Sequence, residues 1–157
     1  KRGRQTSSNN ATVVDVCLEV LNLKENLNYK KFCCLYATAP FRNQKIIKKV
    51  VDQVDLKNCH FSMAVTEFNF PFHQALITNN NFLKPVWKKK LKLDYKKIQK
   101  VLVDNGSTYC ASVSKFKKIK SFYGNSLKGI EMDWTQSIDI NNLKDFLISK
   151  ALFNKIL

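Results

Sequence analysis

The chain has 157 residues, 45% of them hydrophobic and 11% aromatic, which suits one domain with a real core and argues against disorder. No stretch approaches the roughly 18–20 apolar residues of a membrane span, and no charged-apolar-small pattern marks a secretory signal. The expectation is a cytoplasmic protein with no membrane partner.

The 27 Lys+Arg against 12 Asp+Glu leave a net charge of +15, a balance that nucleic acid can exploit. The cations are mostly dispersed lysines, densest from Lys84 to Lys100, and arginine, the usual reader of base edges, occurs only at positions 2, 4 and 42. Solvated lysines are therefore expected rather than a nucleic-acid partner, although a basic pocket for an anionic nucleotide also fits. Five cysteines, with no C-x-x-C and no Cys/His cluster at ligand spacing, read as buried small apolar residues in a reducing compartment.

Residues 1–10 are polar and read as a loop, with Asn10 placed to cap a helix. From 11 to 23, Val13, Val16, Cys17, Val20 and Leu21 recur at helical spacing. Phe32–Tyr36 is a continuous apolar run and predicts a central strand buried on both faces, ended by Pro40. Ile46, Ile47, Val50, Val51 and Val54 mark a second amphipathic helix. Residues 60–68 alternate as a strand, and 73–77 predict a short third one. Asn79-Asn80-Asn81 is a turn, and 84–100 read as irregular with one helical turn. Asn105-Gly106 predicts a tight turn before a strand at 107–113. A short helix at 115–123, a strand at 127–132 and a last helix opened by Asn142 complete the chain, with Leu143, Phe146, Leu147 and Ala151 as the apolar stripe of that helix. Strands alternating with helices predict an α/β fold with a mostly parallel sheet.

No glycine-rich phosphate loop and no G-x-S-x-G elbow is present. A ligand in such a sheet would sit beyond the carboxyl ends of the strands, and residues 36–40 and Asp139 lie at two such ends. On the residues alone, Tyr36 also reads as core with its hydroxyl out, Thr38 as a loop-amide partner, and Asp139 equally as a cap of the last helix.

Five segments carry a resemblance. "CCLYATAPF" and "VTEFNFPFHQALI" resemble the strand-and-loop segments of acylneuraminate cytidylyltransferases, above all those acting on pseudaminic acid. "VDNGSTY", "QSIDINNLKDF" and "RGRQTSSNNATVVDVCLEVL" are similar to three further segments of that family, in the family's order. The resemblance implies a Rossmann-like nucleotidyltransferase sheet with flanking helices. It makes residues 1–157 the C-terminal two-thirds of a single cytidylyltransferase domain, without the N-terminal nucleotide-gripping loop. It also implies a reaction, in which a nine-carbon sialic-type sugar acid is coupled to CTP with Mg2+, giving CMP-sugar and pyrophosphate.

Carried over by position, Asp139 is the catalytic metal carboxylate and Asn141 stands at the second metal position, where the family has Asp. Tyr36, Thr38, Gln74, Gln99 and Asn105 would meet the sugar acid, with Gln74 standing where the family has arginine. Arg2, Ser8 and Thr12 would lie near the nucleotide, and Asn9 replaces a family Asp. The family's dimerisation extension falls at residues 82–100, which implies a homodimer; a lid over the pocket is the competing reading. Asn9, Gln74 and Asn141 support an alternative, a non-catalytic relative that binds a sugar acid or assembles with a partner. The charge supports another, a basic nucleic-acid-binding module.

Overall fold

A computed structural model describes residues 3–68, 70–92 and 100–156. Arg2 and Gln99, and most of the second half of the 84–100 segment, lie outside the described residues. The first helix, α1 (Val13–Leu21), opens on a capping box in which the Thr12 side chain accepts from the Asp15 amide and Asp15 accepts from the Thr12 amide. Thr12, not Asn10, is thus the N-cap. The first strand, β1 (Lys31–Leu35), leads to α2 (Gln44–Gln53), whose start is capped by Asn43 accepting from the Ile46 amide. Lys31 donates to the carbonyls of Val51 and Val54 at the far end of α2, satisfying groups that the helix leaves unpaired.

Next come β2 (Phe61–Glu67) and a small hairpin of β3 (Leu76–Asn79) and β4 (Phe82–Pro85). Asn80 and Asn81 both take positive φ, the conformation that a two-residue type I′ turn demands. The third predicted strand therefore begins after the 3-10 turn Phe72–Gln74, and part of the region read as irregular is its partner strand and a second 3-10 turn, Lys88–Lys90. The chain closes with β5 (Leu102–Ser112), α3 (Val113–Ile119), β6 (Leu127–Glu131) and α4 (Leu143–Ile156).

The main sheet has the order β1-β5-β2-β6. β5 pairs antiparallel with both β1 and β2, and only β2–β6 is a parallel pair. This corrects the mostly parallel sheet expected from the alternation of elements. The physical reason is specific: β1, β2 and β6 do run the same way, but β5 returns from the hairpin excursion and inserts between β1 and β2 in the opposite sense. β1 is consequently an edge strand. Phe32 and Cys34 pack on the core, whereas Cys33 and Leu35 face outward and are exposed. An unbroken apolar run does not report which of its two faces is covered. The expectation of five buried thiols fails at Cys33 for the same reason, although all five are free.

Two apolar layers cover the sheet. Cys17 and Leu21 of α1 and Val113 and Phe116 of α3 pack with Phe61, Met63 and Val65 of β2. On the other face, Ile46, Val50 and Val54 pack with Ala64, Cys110 and Met132. β2 is buried on both faces along most of its length because it lies inside the sheet with both layers over it. The apolar stripe predicted for α4 is not buried: Leu143, Phe146 and Leu147 are all more than half exposed. Among the described residues no helix is long and apolar enough to cross a membrane.

Candidate functional site

The site is built where β5 stops being regular. Between the pairs Met63↔Tyr109 and Val65↔Asp104, β2 advances two residues while β5 advances five. The excess forms a bulge at Asn105–Thr108. Gly106 takes φ +67 at its crest, a conformation that glycine adopts without a Cβ penalty. Asp104 accepts from the Gly106 amide at 3.0 Å and Asn105 accepts from the Ser107 amide at 3.3 Å, so two short side chains hold the irregular backbone in place. The expected Asn-Gly hairpin turn is therefore a bulge inside one long strand.

β1 ends against this bulge. The Tyr36 amide donates to the Ser107 carbonyl at 3.0 Å, and Arg42 reaches back to the carbonyls of Tyr36 and Ala39. The following loop is tied to the segment after β6 by the Ile140 amide, which donates to the Thr38 carbonyl at 2.9 Å. The carboxyl ends of β1, β2 and β6 thus meet the amino-terminal half of β5 at one edge, the edge at which α/β sheets bind ligands.

Two clefts open there. One, of about 520 Å3, is lined by residues that include Thr66, Asn105, Gly106, Ser137 and Asp139. The other, of about 280 Å3, is lined by residues that include Thr12, Val14, Tyr36, Ser121 and Phe122. Asp104, Tyr109 and Tyr123 belong to both. Aromatic rings connect this wall to the core: Phe116 lies 4.8 Å from Phe122, Phe122 4.8 Å from Tyr109, and Tyr109 5.1 Å from Tyr36. Each such pair is worth about 0.5–1.5 kcal/mol beyond burial, so the wall is anchored by packing.

Asp139 sits over the bulge. A Cβ on Gly106 would lie 3.0 Å from its Oδ2, so the glycine also makes room for the carboxylate. Asn141 Nδ2 donates to Oδ2 at 3.0 Å, while Oδ1 is shielded from solvent without a hydrogen-bond partner among the described residues. A buried carboxylate oxygen with no donor is costly unless something cationic or protic meets it. The last helix is capped by other residues: Asn142 Oδ1 accepts from the Lys144 and Asp145 amides, and Asp145 accepts from those of Asn141 and Asn142. The capping role that the sequence left open for Asp139 is thus already filled. Among the described residues no group of three or more His, Cys, Asp or Glu side chains is placed to hold a metal. Of the two expected metal ligands, Asp139 keeps an oxygen without a partner among the described residues, and the Asn141 amide nitrogen is engaged by the other Asp139 oxygen.

Of the other expected site residues, Asn105 is buried, donating to Met132 Sδ and Ser137 Oγ, both at 3.2 Å. Thr12 lines the smaller cleft while capping α1. Ser8 lines a separate cleft of about 570 Å3 with Arg4, Thr6 and Glu19 among its walls. Gln74 is exposed on the 3-10 turn before β3 and lines neither cleft at the bulge. Asn105 and Asp139 line the larger cleft, Tyr36 and Thr12 line the smaller one, and Thr38 lines neither but is tied to the segment carrying Asp139 through its carbonyl, which accepts from the Ile140 amide. Sequence reasoning missed Arg42, Asp104 and Tyr123. Their signal was weak: a lone arginine after a proline, an acid next to an Asn-Gly, and an aromatic at the end of a lysine-rich helix.

No family model matches the chain. Over 74 residues, 47% of this chain, it is 35% identical to the pseudaminic acid cytidylyltransferase of Campylobacter jejuni serotype O:2. It is 34% identical over the same length to that of serotype O:23/36. The chain spans about a third of the length of these curated relatives, 32% in each case. It is therefore related to cytidylyltransferases over about half of its own length.

Proposed function

We propose that this chain carries the sugar-acid and metal-binding part of a cytidylyltransferase. The enzyme would join a nine-carbon sialic-type sugar acid, with pseudaminic acid favoured, to CTP and release pyrophosphate. The observation that carries the reading is Asp139: its Oδ1 lacks a partner among the described residues, beside the bulge that holds Asn105 and accepts the Tyr36 amide. The stretch of identity to pseudaminic acid cytidylyltransferases supports the same class. In this reaction the anomeric hydroxyl of the sugar attacks the α-phosphate and pyrophosphate leaves, so catalysis consists of placing two anions and spreading their charge. Mg2+, held by Asp139 with the Asn141 amide at its side, would supply neutralising charge at the phosphates.

Tyr36 and Thr38, on the loop that Arg42 holds, would position the sugar, and Asn105 would fix the bulge beneath it. Arg2, Ser8 and Thr12 would border the nucleotide, Gln99 would meet the sugar acid, and Gln74 would act on it only from a segment outside the two clefts. The setting would be cytoplasmic synthesis of an activated sugar for cell-surface glycans. A homodimer would bury the exposed β3–β4 arm, where Phe82 and Leu83 are both more than 60% exposed. A second reading, a binding relative without turnover, is favoured by Asn141, whose amide donates to Asp139 instead of adding a second negative charge.

The test is amide chemical-shift mapping on the intact protein titrated with pseudaminic acid and N-acetylneuraminic acid. Shifts centred on residues 36–39, 105–107 and 137–140 support the reading. Shifts elsewhere, or none with either acid, overturn it.

A further inference from the structure

The wall shared by the two clefts contains a carboxylate, Asp104, on which three donors converge. Asp104 Oδ1 accepts from the Gly106 amide at 3.0 Å and from the Tyr109 hydroxyl at 2.8 Å. Oδ2 accepts from the same Tyr109 hydroxyl at 3.0 Å and from the Tyr123 hydroxyl at 2.5 Å. A carboxylate has about four acceptor positions, and a phenol has one proton. Both phenol protons are therefore turned toward Asp104 and away from the clefts.

We infer that Asp104 is a specificity-determining positioning residue: it fixes Tyr109 and Tyr123 as pure hydrogen-bond acceptors toward the clefts, which selects ligands that present hydroxyl or amide donors there. Asp104, already met by three donors, acts through the two phenols. The inference deepens the proposed function and rests on its reading that the ligand is a sugar acid. It adds an orientation. The hydroxyl-bearing or acylamino end of the sugar faces Tyr109 and Tyr123, and its carboxylate, itself an acceptor, is turned away from them.

Local chemistry agrees. The hydrogen bond to Asp104 and partial burial hold the Tyr123 phenol up at about 12, and burial followed by the same bond pushes Tyr109 higher still. Tyr36, the third phenol at this wall, is raised mainly by burial and hydrogen-bonds to Tyr109; with the Tyr109 proton on Asp104, Tyr36 is the donor and takes one of the Tyr109 lone pairs, leaving the other and those of Tyr123 for a ligand.

The experiment uses the intact protein with 13Cζ-labelled tyrosine, comparing the wild type with Asp104→Asn at about pH 11, one unit above an ordinary phenol. Tyr123 should remain protonated in the wild type and be mostly ionised in D104N. An ionised Tyr123 in the wild type overturns the inference even if D104N fails to fold. Titration with N-acetylneuraminic acid and its per-O-methyl derivative gives a second readout, because the derivative loses its hydroxyl donors and a packing role for Asp104 would not distinguish the two. The wild type should prefer the hydroxylated acid by about tenfold, and D104N by no more than about threefold. Equal preference in both proteins overturns the inference. If neither acid binds the wild type while Tyr123 stays protonated, the proposed function fails and the acceptor assignment stands.

Discussion

Gly106→Ala tests whether the bulge and Asp139 form one unit. Gly106 has φ +67, and placing an L residue in that region costs roughly 1–2 kcal/mol. The new Cβ would lie 3.0 Å from Asp139 Oδ2 and 3.2 Å from its Cγ, so the carboxylate would have to give way while holding the Asn141 amide. The expected total is about 2 kcal/mol, or a fall in Tm of about 4–8 °C for a domain of this size. Urea and thermal denaturation of G106A measure it. Gly106→Asn separates the two contributions, because asparagine tolerates positive φ but keeps the contact. In an Asp139→Ala background the contact part should vanish, giving a positive coupling between the two sites. If G106A costs less than about 0.3 kcal/mol, or if the cost is the same with and without Asp139, the bulge is not what seats the carboxylate.

Other expectations rest on single close contacts and charges. Gly124→Ala would place a Cβ 2.2 Å from the Phe61 ring, which is only 3% exposed, so overpacking should cost about 1–3 kcal/mol or more in a chemical melt; wild-type stability would show that this loop is free to move off the ring. Asp55 accepts from the amides of Lys57, Asn58 and Cys59, which hold its carboxyl at about 2 against an ordinary 3.8. A depressed pKa means that its contribution is complete above about 3.8 and is lost as pH falls through about 2. Tm measured from pH 5 to pH 2 should thus fall less steeply for Asp55→Asn than for the wild type, and parallel curves would refute the assignment.

The parts of the fold governed by local pattern were legible. Helical spacing located α1 and α2, the asparagine run located the β3–β4 turn, and "HFSMAVTEF" located β2. What failed depended on remote partners. The apolar run ending in Tyr36 looks like a central strand, but its position at the edge is decided by β5, which is more than sixty residues away in sequence. Asn105-Gly106 is equally compatible with a turn and with a bulge, and the choice is made by the extra residues of β5 that β2 leaves unpaired. The stripe of α4 is amphipathic in sequence, yet Leu143, Phe146 and Leu147 remain exposed.

The site divides along the same line. Tyr36, Thr38, Asn105 and Asp139 were visible as strand-end residues or through family resemblance, and the structure places them at one edge. Asp104 was hidden because its role exists only once Tyr109 and Tyr123, five and nineteen residues away, converge on it. Arg42 was hidden because it acts on backbone carbonyls of the loop that precedes it.

The central claim is most directly tested by pyrophosphate release from CTP by the intact protein, with Mg2+ and a panel of nine-carbon sugar acids. The account predicts release that depends on one such acid, with pseudaminic acid first, and that disappears in Asp139→Ala. Release that is unchanged in D139A, or no release with any acid from either the wild type or an Asn141→Asp variant, would contradict it.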